Sequence, residues 1–243
     1  MQKRLFTILE NTALTETVYR MRLQGDTDAI TAPGQFVNIA LEGLYLRRPI
    51  SVCDWGEGEL TLLYKTVGRG TRRMAAMREG AALELLTGLG NGYNTEKSGD
   101  MPLLIGGGVG IPPLYALAKK LIGEGRMVTV ILGFRNKEEV FYTEEFAALG
   151  ARVHITTEDG SLGIKGFVTD ALAEFAPTYL YTCGPEAMLK AIYKASDCGG
   201  QYSFEERMGC GFGACMGCSC ETSYGYKRIC KEGPVLEKEE IVW

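Results

Sequence analysis

Five of the chain's eight cysteines crowd towards its C-terminus, and their spacing is that of a metal site. Cys210, Cys215 and Cys218 stand at C-x4-C-x2-C, and Cys230 follows. Thiolates at that spacing are the ligand pattern of a plant-type [2Fe–2S] loop. Plant-type ferredoxins place the fourth cysteine much further along, so this loop is a variant. Gly209, Gly211, Gly213 and Gly217 are interleaved with the thiols. They let the loop fold tightly and let backbone N–H groups approach the cluster sulfurs, which raises a cluster's reduction potential. The competing assignment is structural zinc. Zinc sites usually pair two C-x2-C knuckles, and only Cys215 and Cys218 have that spacing. Cys220 alternates with Cys218 and is not expected to be a ligand.

Two further groups of residues could hold phosphates. Arg48-Pro49-Ile50-Ser51 opens an extended segment. An arginine can neutralise a pyrophosphate with two parallel hydrogen bonds, and a serine three residues on can reach the edge of a flavin ring. Gly68-Arg69-Gly70-Thr71 leads into a short helix, and a glycine turn at a helix start is a ready anion site. Between them lies Leu63-Tyr64-Lys65, where Tyr64 would either stack on a cofactor ring or pack in a barrel. Further along, Ile105-Gly106-Gly107-Gly108-Val109-Gly110-Ile111-Pro112-Pro113 follows a strand and opens a helix, the context of a dinucleotide loop. Pro112 and Pro113 interrupt a clean G-x-G-x-x-G. Thr182-Cys183-Gly184-Pro185 ends a later strand. In an open α/β sheet, ligands bind outside the carboxyl ends of the strands, where both loops fall. Gly133-Phe134-Arg135-Asn136 ends the intervening strand on the same side, and Arg135 leaves NAD against NADP open because an arginine can accept a 2′-phosphate. His154, the only histidine, lies mid-strand and reads as structural. Glu158-Asp159-Gly160 reads as a turn rather than a paired-carboxylate site.

The elements that must position these residues change character along the chain. Residues 1–97 alternate polar and apolar residues in short runs: Arg4–Glu10, Thr15–Leu23, Gln35–Leu41, Pro49–Asp54, Glu59–Val67 and Ala81–Thr87. Six such strands predict a small β-barrel. The helix of this region is expected over Thr71–Arg78, with Thr71 as its N-cap. A polar linker, Asn94–Asp100, follows. Residues 98–206 then alternate strands and helices, the pattern of a parallel sheet with helices on both faces. The helices are expected at Pro113–Ile122, Glu138–Leu149, Phe167–Phe175 and Pro185–Lys194, and Gln201–Glu205 is expected to be the last strand. Residues 207–243 are too short and too rich in glycine and cysteine to bury a core, so they need a staple, which a metal cluster would supply.

Composition narrows the classes. A hydrophobic fraction of 46% and a charged fraction of 23% are ordinary for a globular chain. The net charge of −4 gives no general attraction to nucleic acid or to an anionic membrane. Met101–Ala118 carries no charge, but its glycines and prolines break a spanning helix. The first ten residues lack the apolar core of a signal peptide. Cysteines gathered at one end do not form a secreted disulfide framework, and a reducing cytoplasmic setting is expected.

Barrel with R-P-I-S, glycine-rich α/β domain with C-G-P, then cysteine loop: in this order the chain resembles the ferredoxin–NADP reductase superfamily over all its residues. Within it, Leu46–Ser51, Gly106–Leu114, Tyr181–Gly184, Met208–Cys215 and Cys230–Val235 are similar to the family of dihydroorotate dehydrogenase B electron transfer subunits. The resemblance implies a FAD-binding β-barrel domain over 1–97, an NAD-binding domain over 98–206 and a [2Fe–2S] domain over 207–243. It implies FAD contacts at Arg48–Ser51, Leu63–Lys65 and Gly70-Thr71, cluster ligands at Cys210, Cys215, Cys218 and Cys230, and NAD(H) as substrate, for which the two glycine loops offer Gly106, Gly107, Gly108, Gly110 and Gly184. It also implies an FMN-containing catalytic subunit as partner, two of each chain, oxidising dihydroorotate to orotate in pyrimidine biosynthesis. Cys183 would then either align a hydride transfer or be a small buried residue. Two rivals remain: a reductase subunit serving ferredoxin or sulfur compounds, and a nucleotide-binding sensor with structural zinc.

Overall fold

The alternation of the first ninety or so residues is realised as a closed antiparallel barrel. In this computed structural model, which describes residues 1–243, the strands are β1 (Gln2–Ala13), β2 (Val18–Gln24), β3 (Phe36–Ile39), β4 (Arg48–Gly56), β5 (Glu59–Lys65) and β6 (Ala82–Leu89). They close in the order β1-β2-β5-β4-β3-β6. Alternate residues point inward, so Phe6, Ile8, Met21, Leu23, Val37, Ile39, Leu60, Leu62, Leu83 and Leu85 form one buried interior. Each such side chain contributes roughly 1.5–3 kcal/mol when fully buried.

Helix α1 (Arg69–Ala75) covers one end of the barrel and inserts Met74 into its core. It starts two residues before the expected position, and Thr71 is not its N-cap. Gly68 holds that place, and the Thr71 hydroxyl reaches back to accept from the N–H groups of Val67 and Gly68 at 3.0 and 3.2 Å. Asn11 ties the end of α1 to the barrel wall. Its amide donates to the carbonyls of Met74 and Met77, both at 2.9 Å, and its oxygen accepts from the Tyr64 hydroxyl at 2.8 Å.

The second half follows the α/β pattern. Its elements are β7 (Pro102–Gly107), α2 (Pro112–Gly123), β8 (Thr129–Phe134), α3 (Thr143–Ala148), β9 (Arg152–Thr157), β10 (Ile164–Lys165), α4 (Val168–Leu172), β11 (Tyr179–Cys183), α5 (Glu186–Ala195) and β12 (Gly200–Ser203). Leu104 and Leu132 face α2 and α3, whereas Leu103, Ile105 and Ile131 face α4 and α5. Helices therefore cover both faces, as the near-continuous apolar strands require. No helix is long and apolar enough to cross a membrane.

Two expectations are corrected. The helix expected over Glu138–Leu149 is broken. Asn136 accepts from the Glu139 N–H and closes a short turn, and Tyr142 adopts φ +65°. Phe141 and Tyr142 are both buried, against Phe134 and Tyr115. Packing two adjacent aromatics inward overrides local helix preference. Gln201–Glu205 is also not the last strand. After the cysteine loop come a small hairpin, β13 (Ser219–Thr222) with β14 (Gly225–Arg228), and then β15 (Val235–Glu237). β15 adds antiparallel to β12, giving the order β10-β9-β8-β7-β11-β12-β15.

Barrel and sheet are packed together through α2 and β4. Lys119 of α2 pairs with Asp54 of β4 at 2.8 Å, and Lys65 of β5 pairs with Glu139 at 3.5 Å. The segment between them is anchored: Ser98 is fully buried, and its carbonyl accepts from the Thr178 hydroxyl at 2.7 Å.

Replacing Asn11 with Ala strands the buried Tyr64 hydroxyl and takes a donor from the carbonyls of Met74 and Met77, of which Met74 keeps the Met77 N–H. The expected loss is about 1–3 kcal/mol, read as a lower denaturant midpoint with an unchanged slope. An unchanged midpoint would show that the α1 anchor lies elsewhere.

Candidate cofactor sites

The cysteine loop is built around its sulfurs. The N–H groups of Phe212, Ala214 and Cys215 donate to Cys210 Sγ at 3.5, 3.2 and 3.4 Å. The Cys210 N–H donates to Cys215 Sγ, and the Cys230 N–H to Cys218 Sγ, each at 3.4 Å. Gly211 and Gly213, at φ +79° and +89°, make the reversals that turn these amides inward. Burial opposes ionisation of Cys210, but the amides of Phe212, Cys215 and Ala214 outweigh it and bring the thiol down to about 6. Burial pushes Cys230 up to about 12, with Cys218 beside it adding to the rise.

The sulfurs thus fall into two pairs, Cys210 with Cys215 and Cys218 with Cys230. A two-iron cluster takes four thiolates spread over two metals, and amide donors stabilise the charge of a thiolate-bound cluster. The donor set fits that group. Cys220 lies half-buried on β13, opposite Lys227. Arg228 clamps the loop shut: it donates to the Gly213 carbonyl at 2.8 Å and also grips Glu232 through two nitrogens. Beside Arg228, the Glu232 carboxyl falls to about 2.

The barrel segments expected to hold a flavin also converge. Arg48 lies against the start of α1, so closely that a Cβ on Gly70 would sit 2.1 Å from Arg48 Nε. Arg48 donates to the Leu46 carbonyl. Thr71 is buried beside Gly70, and the first turn of α1 carries no acidic residue. A half-buried guanidinium, a glycine and a helix start with no opposing carboxylate fit a phosphate. In the β3–β4 pair, Pro49 is opposite Asn38 and Ser51 opposite Phe36, so these four share one outer face. Ile50 points the other way and packs on the barrel core. Leu63 faces the α2 side.

Tyr64 is a correction. It is 1% exposed, stacks on Tyr19 at 5.8 Å and is hydrogen-bonded to Asn11. Its ring belongs to the barrel interior and is not free to stack on a cofactor.

The two nucleotide motifs meet at the carboxyl ends of β7 and β11. A Cβ on Gly110 would lie 2.3 Å from the Cys183 carbonyl oxygen, and one on Gly184 would lie 3.2 Å from the Gly107 nitrogen. Gly106 backs onto Ile111 and Leu114, and Gly108 turns at φ +53°. Cys183 is pushed up to about 12 by burial, against hydrogen bonds to Ser203 and Tyr93. Tyr93 in turn donates to the Thr182 carbonyl at 3.2 Å. Arg135 stands exposed at the end of β8.

Sequence reasoning missed Asn38, Asn91, Tyr93, Ser203 and Arg228. Asn38 carried a signal, a lone amide inside the apolar run Phe36-Val37-Asn38-Ile39. The others act through tertiary contacts that no local pattern marks.

A closed six-stranded barrel joined to a doubly wound, mostly parallel sheet defines the ferredoxin–NADP reductase class of fold, to which this chain adds a cysteine loop packed against both. A model of the iron–sulfur cluster binding domain of dihydroorotate dehydrogenase B matches residues 205–242, and one of the oxidoreductase NAD-binding domain matches residues 104–194. The chain is 42% identical to the dihydroorotate dehydrogenase B (NAD(+)) electron transfer subunit of Bacillus mycoides (strain KBAB4), covering 100% of this chain and 99% of that one. The corresponding subunit of Bacillus cereus (strain G9842) is 41% identical over the same shares. Among solved structures, an NADH-dependent reduced ferredoxin–NADP oxidoreductase superposes with a TM-score of 0.89 at 30% identity, over 98% of this chain and 90% of that one. A flavohemoglobin from Malassezia yamatoensis shares the fold, with a TM-score of 0.68 at 21% identity over 80% of this chain and 56% of that one. The chain belongs to the family of dihydroorotate dehydrogenase B (NAD(+)) electron transfer subunits.

Gly70→Ala drives a methyl into the Arg48 side chain and leaves every charge in place. The purified variant is expected to retain less FAD per chain than the wild type, as Arg48→Ala should. Full flavin content in both variants would remove Arg48 from the phosphate role.

Proposed function

We propose that this chain carries electrons from a dihydroorotate-oxidising flavoprotein to NAD⁺ as the electron transfer subunit of a dihydroorotate dehydrogenase, in pyrimidine biosynthesis. The observation that carries the reading is the junction at β3. There the cysteine loop lies against Asn38, next to the Arg48–Ser51 stretch that pairs with β3 in the barrel wall, so a cluster and a flavin held by these residues would be neighbours. Bound [2Fe–2S] passes electrons singly, and bound FAD gathers two of them for the hydride that NAD⁺ accepts.

The residues divide the work. Arg48, Gly70 and Thr71 hold the flavin phosphates, and Pro49 and Ser51, with the backbone of Ile50, Leu63, Tyr64 and Lys65, line its ring. Cys210, Cys215, Cys218 and Cys230 hold the cluster, and the loop amides tune it. Gly106, Gly107, Gly108, Gly110 and Gly184 keep side chains away from the nucleotide. Cys183, with its thiol raised to about 12, keeps its proton on sulfur at neutral pH. It offers an uncharged group at the mouth of the nucleotide loops, where a thiolate would disfavour hydride arrival.

The partner is an FMN-bearing catalytic subunit, in an assembly of two of each chain. The surface near the cysteine loop suits it, with Phe212, Met216, Tyr224 and Tyr226 exposed there. Clustered exposed aromatics and methionine mark protein contacts. The eight cysteines are all unpaired, which suits the cytoplasm. The domains are assigned as 1–97 for FAD, 98–206 for NAD and 207–243 for the cluster.

Cys215→Ser separates these roles. It is expected to abolish the cluster absorption and electron exchange with the partner, while FAD-dependent NADH oxidation by an artificial acceptor persists. Loss of flavin together with the cluster, in a folded variant, would contradict the division.

A further inference from the structure

Asn38, on the strand paired with the flavin strand, is the barrel side chain that hydrogen-bonds to the cluster loop. It is 1% exposed, and its Nδ2 donates to the Cys210 carbonyl at 3.1 Å. It lies opposite Pro49 of the R-P-I-S strand, on the face it shares with Ser51 and Phe36. The contact is close on both sides: a Cβ on Gly211 would sit 2.3 Å from Asn38 Nδ2. The Asn38 backbone is held as well, its carbonyl accepting from Arg47 at 3.3 Å. The orientation of the amide is fixed, because a carbonyl partner requires the nitrogen. That leaves Oδ1, which is buried and has no donor.

Oδ1 is enclosed by the protein itself, so the contact that carries function is the one through Nδ2. We infer that Asn38 is a positioning residue for electron transfer: through Nδ2 it fixes the Cys210 carbonyl, and with it the cluster loop, against the face that Pro49 and Ser51 share. The inference rests on the functional reading above and deepens it.

Two consequences follow from the chemistry. The Cys210 carbonyl belongs to the loop whose amides surround Cys210 Sγ, so releasing it changes the hydrogen bonding of a cluster ligand and with it the cluster's magnetic signature and potential. The spacing between the two redox centres also loosens, and electron tunnelling weakens steeply with distance. A role confined to stability would move neither quantity in a variant that keeps both cofactors.

The test uses the full chain as purified with its cofactors. NADH is mixed with it anaerobically, and flavin bleaching and cluster reduction are followed by stopped-flow absorbance and freeze-quench electron paramagnetic resonance. Asn38→Leu and Asn38→Asp are compared with the wild type. The expected result is retained FAD and iron, a displaced cluster resonance, and flavin-to-cluster transfer slowed by about tenfold or more. Should Asn38→Leu lose its cluster, Asn38→Ser, which keeps a shorter donor, decides by the same two readings. Transfer rate and resonance identical to the wild type in the variants that retain iron would overturn the inference and leave the functional reading standing. Wild-type chain that takes up neither FAD nor iron would overturn the reading itself.

Discussion

The structure depends on how the chain re-enters the sheet after its cysteine loop. A loop rich in glycine and cysteine has no core of its own, so its position is set by what grips its ends. Asn91, just beyond β6, does most of the gripping. Its side-chain amide donates to the carbonyls of Glu232 and Val235 at 3.1 and 2.7 Å. Its oxygen accepts from the Val235 N–H at 3.1 Å, and its backbone N–H donates to the Gly233 carbonyl at 2.7 Å. Gly90 leaves room for Pro234, which would lie 2.7 Å from a Cβ there. From this anchor β15 runs onto β12 and completes the sheet edge. Barrel, sheet and cysteine loop are thereby fixed to one another by a few backbone and amide contacts.

That arrangement explains why the site needs three sequence-distant segments. The barrel brings Arg48 against Gly70 at the start of α1 and sets Pro49 and Ser51 on its outer face. The sheet supplies two glycine loops, packed closely enough that Gly110 has no space for a side chain. The C-terminal segment supplies the thiols, and Ile229, Cys218 and Cys230 join the hydrophobic cluster beneath the sheet. The loop is thus also part of a core, which ties cluster geometry to the stability of the second domain. Fine tuning comes from the protein's dipoles. Three N–H groups crowd Cys210 Sγ, whereas Cys230 lies buried among apolar neighbours, so the thiols differ in hydrogen bonding and exposure.

Much of this was legible in the sequence because the signals were local. Strict alternation revealed the barrel strands, the βα rhythm revealed the sheet, and cysteine spacing revealed the loop. Gly70 and Arg48 were separately suggestive, and the structure brings them into contact. What was not legible depended on tertiary context. Phe141 and Tyr142 are pulled inward and break a helix that their neighbours favour. Tyr64 could have faced a cofactor or the barrel interior, and only the closure of the barrel decides between them. β15 is three residues long, far too short to announce itself, yet it fixes the last domain. Asn38 and Asn91 are single amides whose partners lie more than a hundred residues away.

The central claim is that this chain links dihydroorotate oxidation to NAD⁺. The most direct measurement is to isolate the native complex through this chain, then supply dihydroorotate and NAD⁺ under anaerobic conditions. The account predicts a second, FMN-bearing protein in the complex, with orotate and NADH formed in equal amounts. A complex that carries flavin and iron yet forms no NADH from dihydroorotate, and instead exchanges electrons between NADH and a ferredoxin, would contradict it.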